Sequence, residues 1–232
     1  MKTPIRTLAT ATLLMLSLTA CTGGDDADPR SGPPLVVNED GTSQVDGSAL
    51  ASNLDGLPQE SVSDAEKASL AYMREEEKLA HDVYAVFDAA WGGQLRIFGN
   101  IASSEATHTA AVLQLLNRYA LPDPAAGLPP GRFANATLQG LYADLVAKGS
   151  PSLTQALMVG AQIEELDIAD IQAALANINN QDIRLVYENL MKGSRNHLRS
   201  FVKTLGQQGV AYIPVYLSGA AYEAIVSSPI ER

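Results

Sequence analysis

An all-α fold, an antiparallel four-helix bundle made of two hairpins and a long crossover carrying a small extra helix, is what this chain of 232 residues predicts. Three observations lead there. Apolar residues recur at steps of three and four along four long stretches, 63–91, 97–119, 152–177 and 181–205, as on helices with one buried face. The links after the first and third stretches, Gly92 to Arg96 and Asn179-Asn180, are short enough to force antiparallel neighbours. Between the second and third stretches, Pro122, Pro124, Pro129 and Pro130 mark a connection too long for a hairpin turn and suited to a crossover.

The chain opens with Lys2 and Arg6, an apolar run from Leu8 to Ala20, and its one cysteine in Leu18-Thr19-Ala20-Cys21. The run has the order of a secretory signal, residues 1–20, and is too short to span a bilayer as a helix. The tetrapeptide resembles the lipobox of bacterial lipoproteins, which implies cleavage and a lipid on Cys21 as the membrane attachment. A lone cysteine excludes an intrachain disulfide. Thr22 stands where an Asp would signal inner-membrane retention, so the outer membrane, facing the periplasm, is expected in a Gram-negative source. Residues 21–60, rich in Gly, Ser, Asp and Pro, read as a flexible tether. Cleavage would remove Lys2 and Arg6, leaving 14 Lys and Arg against 26 Asp and Glu, a formal charge of −12. Such an acidic surface argues against nucleic acid and against electrostatic adhesion to anionic lipid.

The folded part is expected over 61–208, followed by a tail, 209–232, packed on the bundle. Ser63 and Glu66 form a capping box for the first helix, whose stripe runs Leu70, Met73, Glu77, Ala80, Tyr84, Phe87. The second stripe is Ile101, Glu105, His108, Val112, Leu115. A small helix near 137–148 closes at Gly149. The third long helix starts at Ser152, with Gln155 as capping partner, and carries Leu157, Glu164, Asp167, Ile171 and Leu175 on one side. The fourth carries Ile183, Tyr187, Leu190, Ser194, His197 and Phe201. In the tail, Tyr212, Tyr216, Tyr222 and Pro214 read as apolar packing.

Six members of these stripes are chemically out of place: Glu77, Glu105, His108, Glu164, Asp167 and His197. Ionised carboxylates facing a core are costly unless a positive charge meets them, and several converging from separate helices ask for a cation. Glu105-Ala106-Thr107-His108 is an E-x-x-H element, with carboxylate and imidazole on one face less than a turn apart. Taken singly, His108 and His197 also fit hydrogen-bonded core imidazoles, and Glu164 fits a partner of Arg184 or Arg195. Glu75, Glu76 and Glu165 read as solvated neighbours, His81 as a flanking residue, and Tyr84 and Tyr187 as core. Tyr84 is also placed to donate a hydrogen bond to a ligand carboxylate.

The stretches Arg74-Glu75-Glu76-Glu77-Lys78-Leu79-Ala80-His81-Asp82-Val83-Tyr84, Ser104 to His108, Glu164 to Asp170 and Gly193 to Arg199 resemble a bacterial and archaeal ferritin-like family catalogued as domain of unknown function 2202. The layout is more distantly similar to the di-iron domain of rubrerythrin. That second resemblance implies Glu77 as the first-helix ligand, Glu105 and His108 as the second-helix pair, Glu164 and Asp167 as the third-helix acidic pair and His197 as the fourth-helix ligand. Ser194 departs from it, standing where rubrerythrin has a bridging glutamate. Two imidazoles, four carboxylates and no thiolate favour iron or manganese, one or two ions, with zinc as competitor. Without a C-x-x-C pair a self-contained rubrerythrin-type peroxidase is not implied. What remains is ferroxidase-like or peroxide-consuming chemistry, or metal holding. The alternative is a redox-inactive bundle lipoprotein with a structural or interaction role, which Ser194 favours.

Overall fold

A computed structural model describes residues 32–232. The signal segment, Cys21 and the tether up to residue 31 lie outside the described residues. A two-stranded antiparallel hairpin comes first, β1 (Leu35–Val37) and β2 (Ser43–Val45), with Val36 opposite Gln44. Seven helices follow: α1 (Gly47–Asp55), α2 (Asp64–Trp91), α3 (Ile97–Arg118), α4 (Ala136–Gly149), α5 (Leu153–Leu175), α6 (Gln181–Gln207) and α7 (Gly219–Val226). The described chain is thus mostly helical. None of these helices is long and apolar enough to cross a membrane.

Local chemistry sets the helix starts. Ser63 accepts from the Glu66 N–H while the Glu66 side chain accepts from Ser63, so two orphan donors at the head of α2 are satisfied reciprocally. Ser152 caps α5 by accepting from Gln155 N, and Asn135 caps α4. α2 packs most extensively on α3 and α5 on α6, while α2 meets α5, and α3 meets α6, across the interior. The apolar interior divides in two. Leu79, Val83, Tyr84, Phe87, Phe98, Leu157 and Phe201 belong to one cluster; Leu70, Met73, Val112, Leu115, Ile183, Tyr187 and Leu190 belong to the other. On α2, α3 and α6 the expected site residues fall in the sequence between members of the two clusters, which places them at a polar waist.

Two expectations are overturned. The flexible tether does not extend over 32–60: Leu35, Val45, Leu50 and Leu54 are buried in the second cluster, and β2 lies along α3 and α6. Each element has too few apolar residues to show a period, yet a handful of buried anchors suffices to hold it. Nor are Glu75, Glu76 and Glu165 solvated; all three are at most 3% exposed. α2 and α5 are covered on more than the one face that a single stripe assumes, because α4 packs on both. Glu75 accepts from Ala134 N and Asn135 N at the entry to α4. Glu165 accepts from the Tyr212 hydroxyl at 2.6 Å and from Val215 N at 2.8 Å, pinning the tail to α5. Tyr212 and Tyr222 join the first apolar cluster.

Candidate metal centre

Five of the six expected residues converge. Glu77, Glu105 and His108 bring ligand-type atoms within 4.8 Å of one another, and so do Glu105, Glu164 and His197. Glu105 is common to both triads. α2 supplies Glu77, α3 supplies Glu105 and His108, α5 supplies Glu164 and α6 supplies His197, all at most 1% exposed. Asp167 is equally buried but belongs to neither triad. His81, paired with Asp82, is also outside.

Glu105 divides its two oxygens between the imidazoles. His108 Nδ1 lies 2.9 Å from Glu105 Oε2 and 3.4 Å from Glu77 Oε2. His197 Nδ1 lies 2.9 Å from Glu105 Oε1 and 3.5 Å from Glu164 Oε2. Although His197 Nδ1 and Glu105 Oε1 are so close, neither makes a hydrogen bond, because their directions do not align. Both Glu77 oxygens and Glu164 Oε2 are likewise buried and unpartnered. Leaving that many acceptors unmet is costly, and the two groups could hold a metal ion.

The surroundings fix the ligands' orientation. The imidazoles stack with centroids 5.5 Å apart and planes 17° from parallel. Tyr84 donates to Glu164 Oε1 at 2.6 Å, so Glu164 is not paired with Arg184 or Arg195. Those arginines are engaged elsewhere, Arg184 with Glu188 and Arg195 with Glu231. Ser43 of β2, fully buried, places its Oγ 3.1 Å from His197 Nε2. Ser194 is buried too, but its hydroxyl donates to the Leu190 carbonyl. The α6 residue pressed against the site is Gly193: a Cβ there would stand 2.7 Å from His108 Cε1 and 2.7 Å from Ser43 Oγ.

In the absence of a cation, protons compensate the charge. Burial raises the Glu77 carboxyl to about 7, against the pull of His108. Burial alone would lower His197, yet Glu164 and Glu105 raise it to about 9. Burial would raise Glu105, but the charges of His108 and His197 hold it well below the carboxylate range. Asp167 is pushed well up by burial, then by Glu76, Glu77, Glu164 and Glu105. Sequence reasoning passed over Ser43, Gly193 and Glu76. A single serine in a polar segment and a helical glycine carry no periodic signal, whereas Glu76 was hidden in a run of three glutamates.

The fold and site define a helical protein whose buried Glu and His groups can hold a metal ion. The chain belongs to the family described as an uncharacterized protein domain (DUF2202), whose model matches residues 66–229. It is 50% identical over 179 residues to the uncharacterized protein MJ0754 of Methanocaldococcus jannaschii, covering 77% of this chain and 96% of that one. The crystal structure of that hypothetical protein is similar to this fold with a TM-score of 0.73, over 75% of this chain and 99% of the other.

Proposed function

We propose that this protein is a ferritin-like four-helix-bundle metal protein that holds a pair of first-row divalent ions, iron or manganese, in the two triads. The observation that supports it best is Glu105, whose two oxygens face separate imidazoles and whose Oε1 is unpartnered 2.9 Å from an equally unpartnered His197 Nδ1. A carboxylate so placed can bridge two cations. Hard oxygen donors with one imidazole per triad suit iron and manganese, and zinc competes for the same set. Bound iron or manganese would supply redox exchange with oxygen or peroxide, giving ferroxidase-like or peroxide-consuming activity.

The chain's own residues prepare the site. Ser43 Oγ lies 3.1 Å from His197 Nε2; when a cation displaces the extra proton of the ring and Nε2 keeps the remaining one, Ser43 accepts from it and the Nδ1 lone pair faces Glu105 and Glu164. Tyr84 holds one Glu164 oxygen, so that the other is directed inward. The apolar clusters on both sides of the waist keep bulk water out. Attachment of the protein to a membrane through lipid on Cys21, in the cell envelope, is part of the same reading and rests on the sequence.

Metal analysis of protein purified without a metal-binding tag tests the proposal: Glu105→Ala and His108→Ala should each lower metal content and abolish the rise in Tm on adding metal. Equal loading in both variants and wild type would refute it. One observation favours a second reading, a redox-inactive bundle lipoprotein with an interaction role. Ser194 offers the triads no carboxylate and turns its hydroxyl back to its own helix. Failure of wild type to take up iron, manganese or zinc would select that reading.

A further inference from the structure

Three buried glutamates flank the triads in sequence, and two of them are explained. Glu75 and Glu165 are satisfied by backbone N–H groups at the crossover and the tail. Glu76 is not: it is 1% exposed and neither oxygen has a hydrogen-bond partner. Asp167 is in the same condition, with both oxygens buried and unmet. The cations nearest in sequence on α2 are committed elsewhere, Arg74 to Asp123 and Lys78 to Asp82. Among the described residues no basic side chain forms an ion pair with Glu76 or Asp167.

These two groups are not isolated. Asp170 follows Asp167 one turn along α5, and Tyr72 precedes Glu76 one turn along α2; the Tyr72 hydroxyl reaches Asp170 Oδ2 at 3.3 Å. Tyr72 and Asp170 are both partly exposed, so this end of the arrangement meets solvent. On α5, Glu164, Asp167 and Asp170 recur every third residue, a run of about 9 Å along the axis from the triads toward the surface. The opposite flank, toward α3 and α6, is closed by β2 with Ser43.

We infer that Glu76, Asp167 and Asp170 form a further cation position between α2 and α5, distinct from the two triads, which takes a hard divalent ion with retained waters and lies on the route by which ions reach the triads. Carboxylate oxygens without imidazole or thiolate suit manganese, magnesium or ferrous iron better than zinc. Two or three carboxylates with water completing the shell is a common arrangement for such ions. An ion here would meet the unpartnered oxygens of Glu76 and Asp167, which nothing else in the fold does.

Manganese titration of the full chain, followed by calorimetry and electron paramagnetic resonance, tests the assignment with Glu76→Gln and Asp170→Asn, and with Glu105→Ala as the contrasting variant. Glu76→Gln keeps the shape and removes a buried charge, so folding should survive, and circular dichroism verifies it. Wild type should show tightly bound ions plus a weaker one. Both amide variants should weaken the latter at least tenfold and slow loading of the tight ions, while leaving their number unchanged. Glu105→Ala should do the reverse. A weaker ion unaffected by either amide variant, or absent from wild type, would overturn the inference and make Glu76 and Asp170 a carboxylic acid pair sharing a proton. A wild type with only the weaker, Glu76-dependent ion would instead overturn the function proposed for the triads.

Discussion

Gly193→Ala tests the packing of the site most directly. Within a helix, alanine for glycine ordinarily gains up to about 1 kcal/mol of stability, since glycine loses more backbone freedom on folding. At 193 the added carbon would stand 2.7 Å from His108 Cε1, 2.9 Å from His108 Nε2 and 2.7 Å from Ser43 Oγ. Ordinary contact begins near 3.4 Å, so something must yield by about 0.7 Å on each side. His108 has nowhere to go: it stacks on His197 behind and its Nδ1 is held by Glu105. Overpacking costs about 1–3 kcal/mol, and a close approach to both His108 and Ser43 falls in the upper part of that range, about 2–3 kcal/mol, so after the gain of about 1 kcal/mol the net effect is a loss of about 1–2 kcal/mol. For a domain of this size that lowers Tm by roughly 2–8 °C. Gly206→Ala supplies the internal control, being the same exchange in the same helix with nothing within 4 Å of the new carbon; it should raise Tm. Thermal melting of the two variants, with metal content measured alongside, should show opposite signs in Tm and metal loss only at 193. If both raise Tm and keep metal, the close approach of α6 to His108 is wrong.

Tyr84→Phe removes the donor to Glu164 Oε1 and should destabilise by about 1.5–3 kcal/mol, as for hydrogen bonds to charged groups, with weaker metal retention. Urea denaturation decides it, and an unchanged midpoint would count against an ionised Glu164. Glu77 and His197 both titrate above their ordinary 4.5 and 6.5, at about 7 and about 9, so the folded metal-free protein holds more protons than the unfolded chain. Its stability should therefore fall as pH rises from about 5 to 9, while metal, which displaces those protons, should bind more tightly over the same window; melting temperatures with and without manganese that stay parallel across that range would contradict this. Glu165→Gln weakens the hold on Tyr212 and Val215 N, and limited proteolysis should cut the tail within 210–232 faster than in wild type.

The helices were legible because their starts carry side-chain chemistry, Ser63 with Glu66 and Ser152 with Gln155, and because apolar residues recur at the helical period. The converging residues were legible for the same reason: a charge in an apolar stripe contradicts its neighbours. Asp167 shares the stripe yet stands outside both triads, since spacing assigns a face and not a distance. Burial on additional faces was not readable, which is why Glu75, Glu76 and Glu165 looked like solvent-facing charge. Strands of three residues offer too short a window for alternation, so Ser43 could not be placed against His197 from the sequence.

The hydrogen bond between His197 and Ser43 has a practical consequence for where this protein can be cut. The family match begins at residue 66, and a chain trimmed to it would lack β1, β2 and α1. His197 Nε2 would lose its partner, freeing the ring to exchange tautomers, and the surfaces that bury Leu35, Val45, Leu50 and Leu54 would be laid open. By reciprocity, any ion that fixes the imidazole from the Nδ1 side also tightens the hairpin from the other. If the triads hold ions as proposed, the segment ahead of α2 is coupled to the occupancy of a centre formed by α2, α3, α5 and α6, and a protein shortened to the shared domain would report on a different site from the one the whole chain carries.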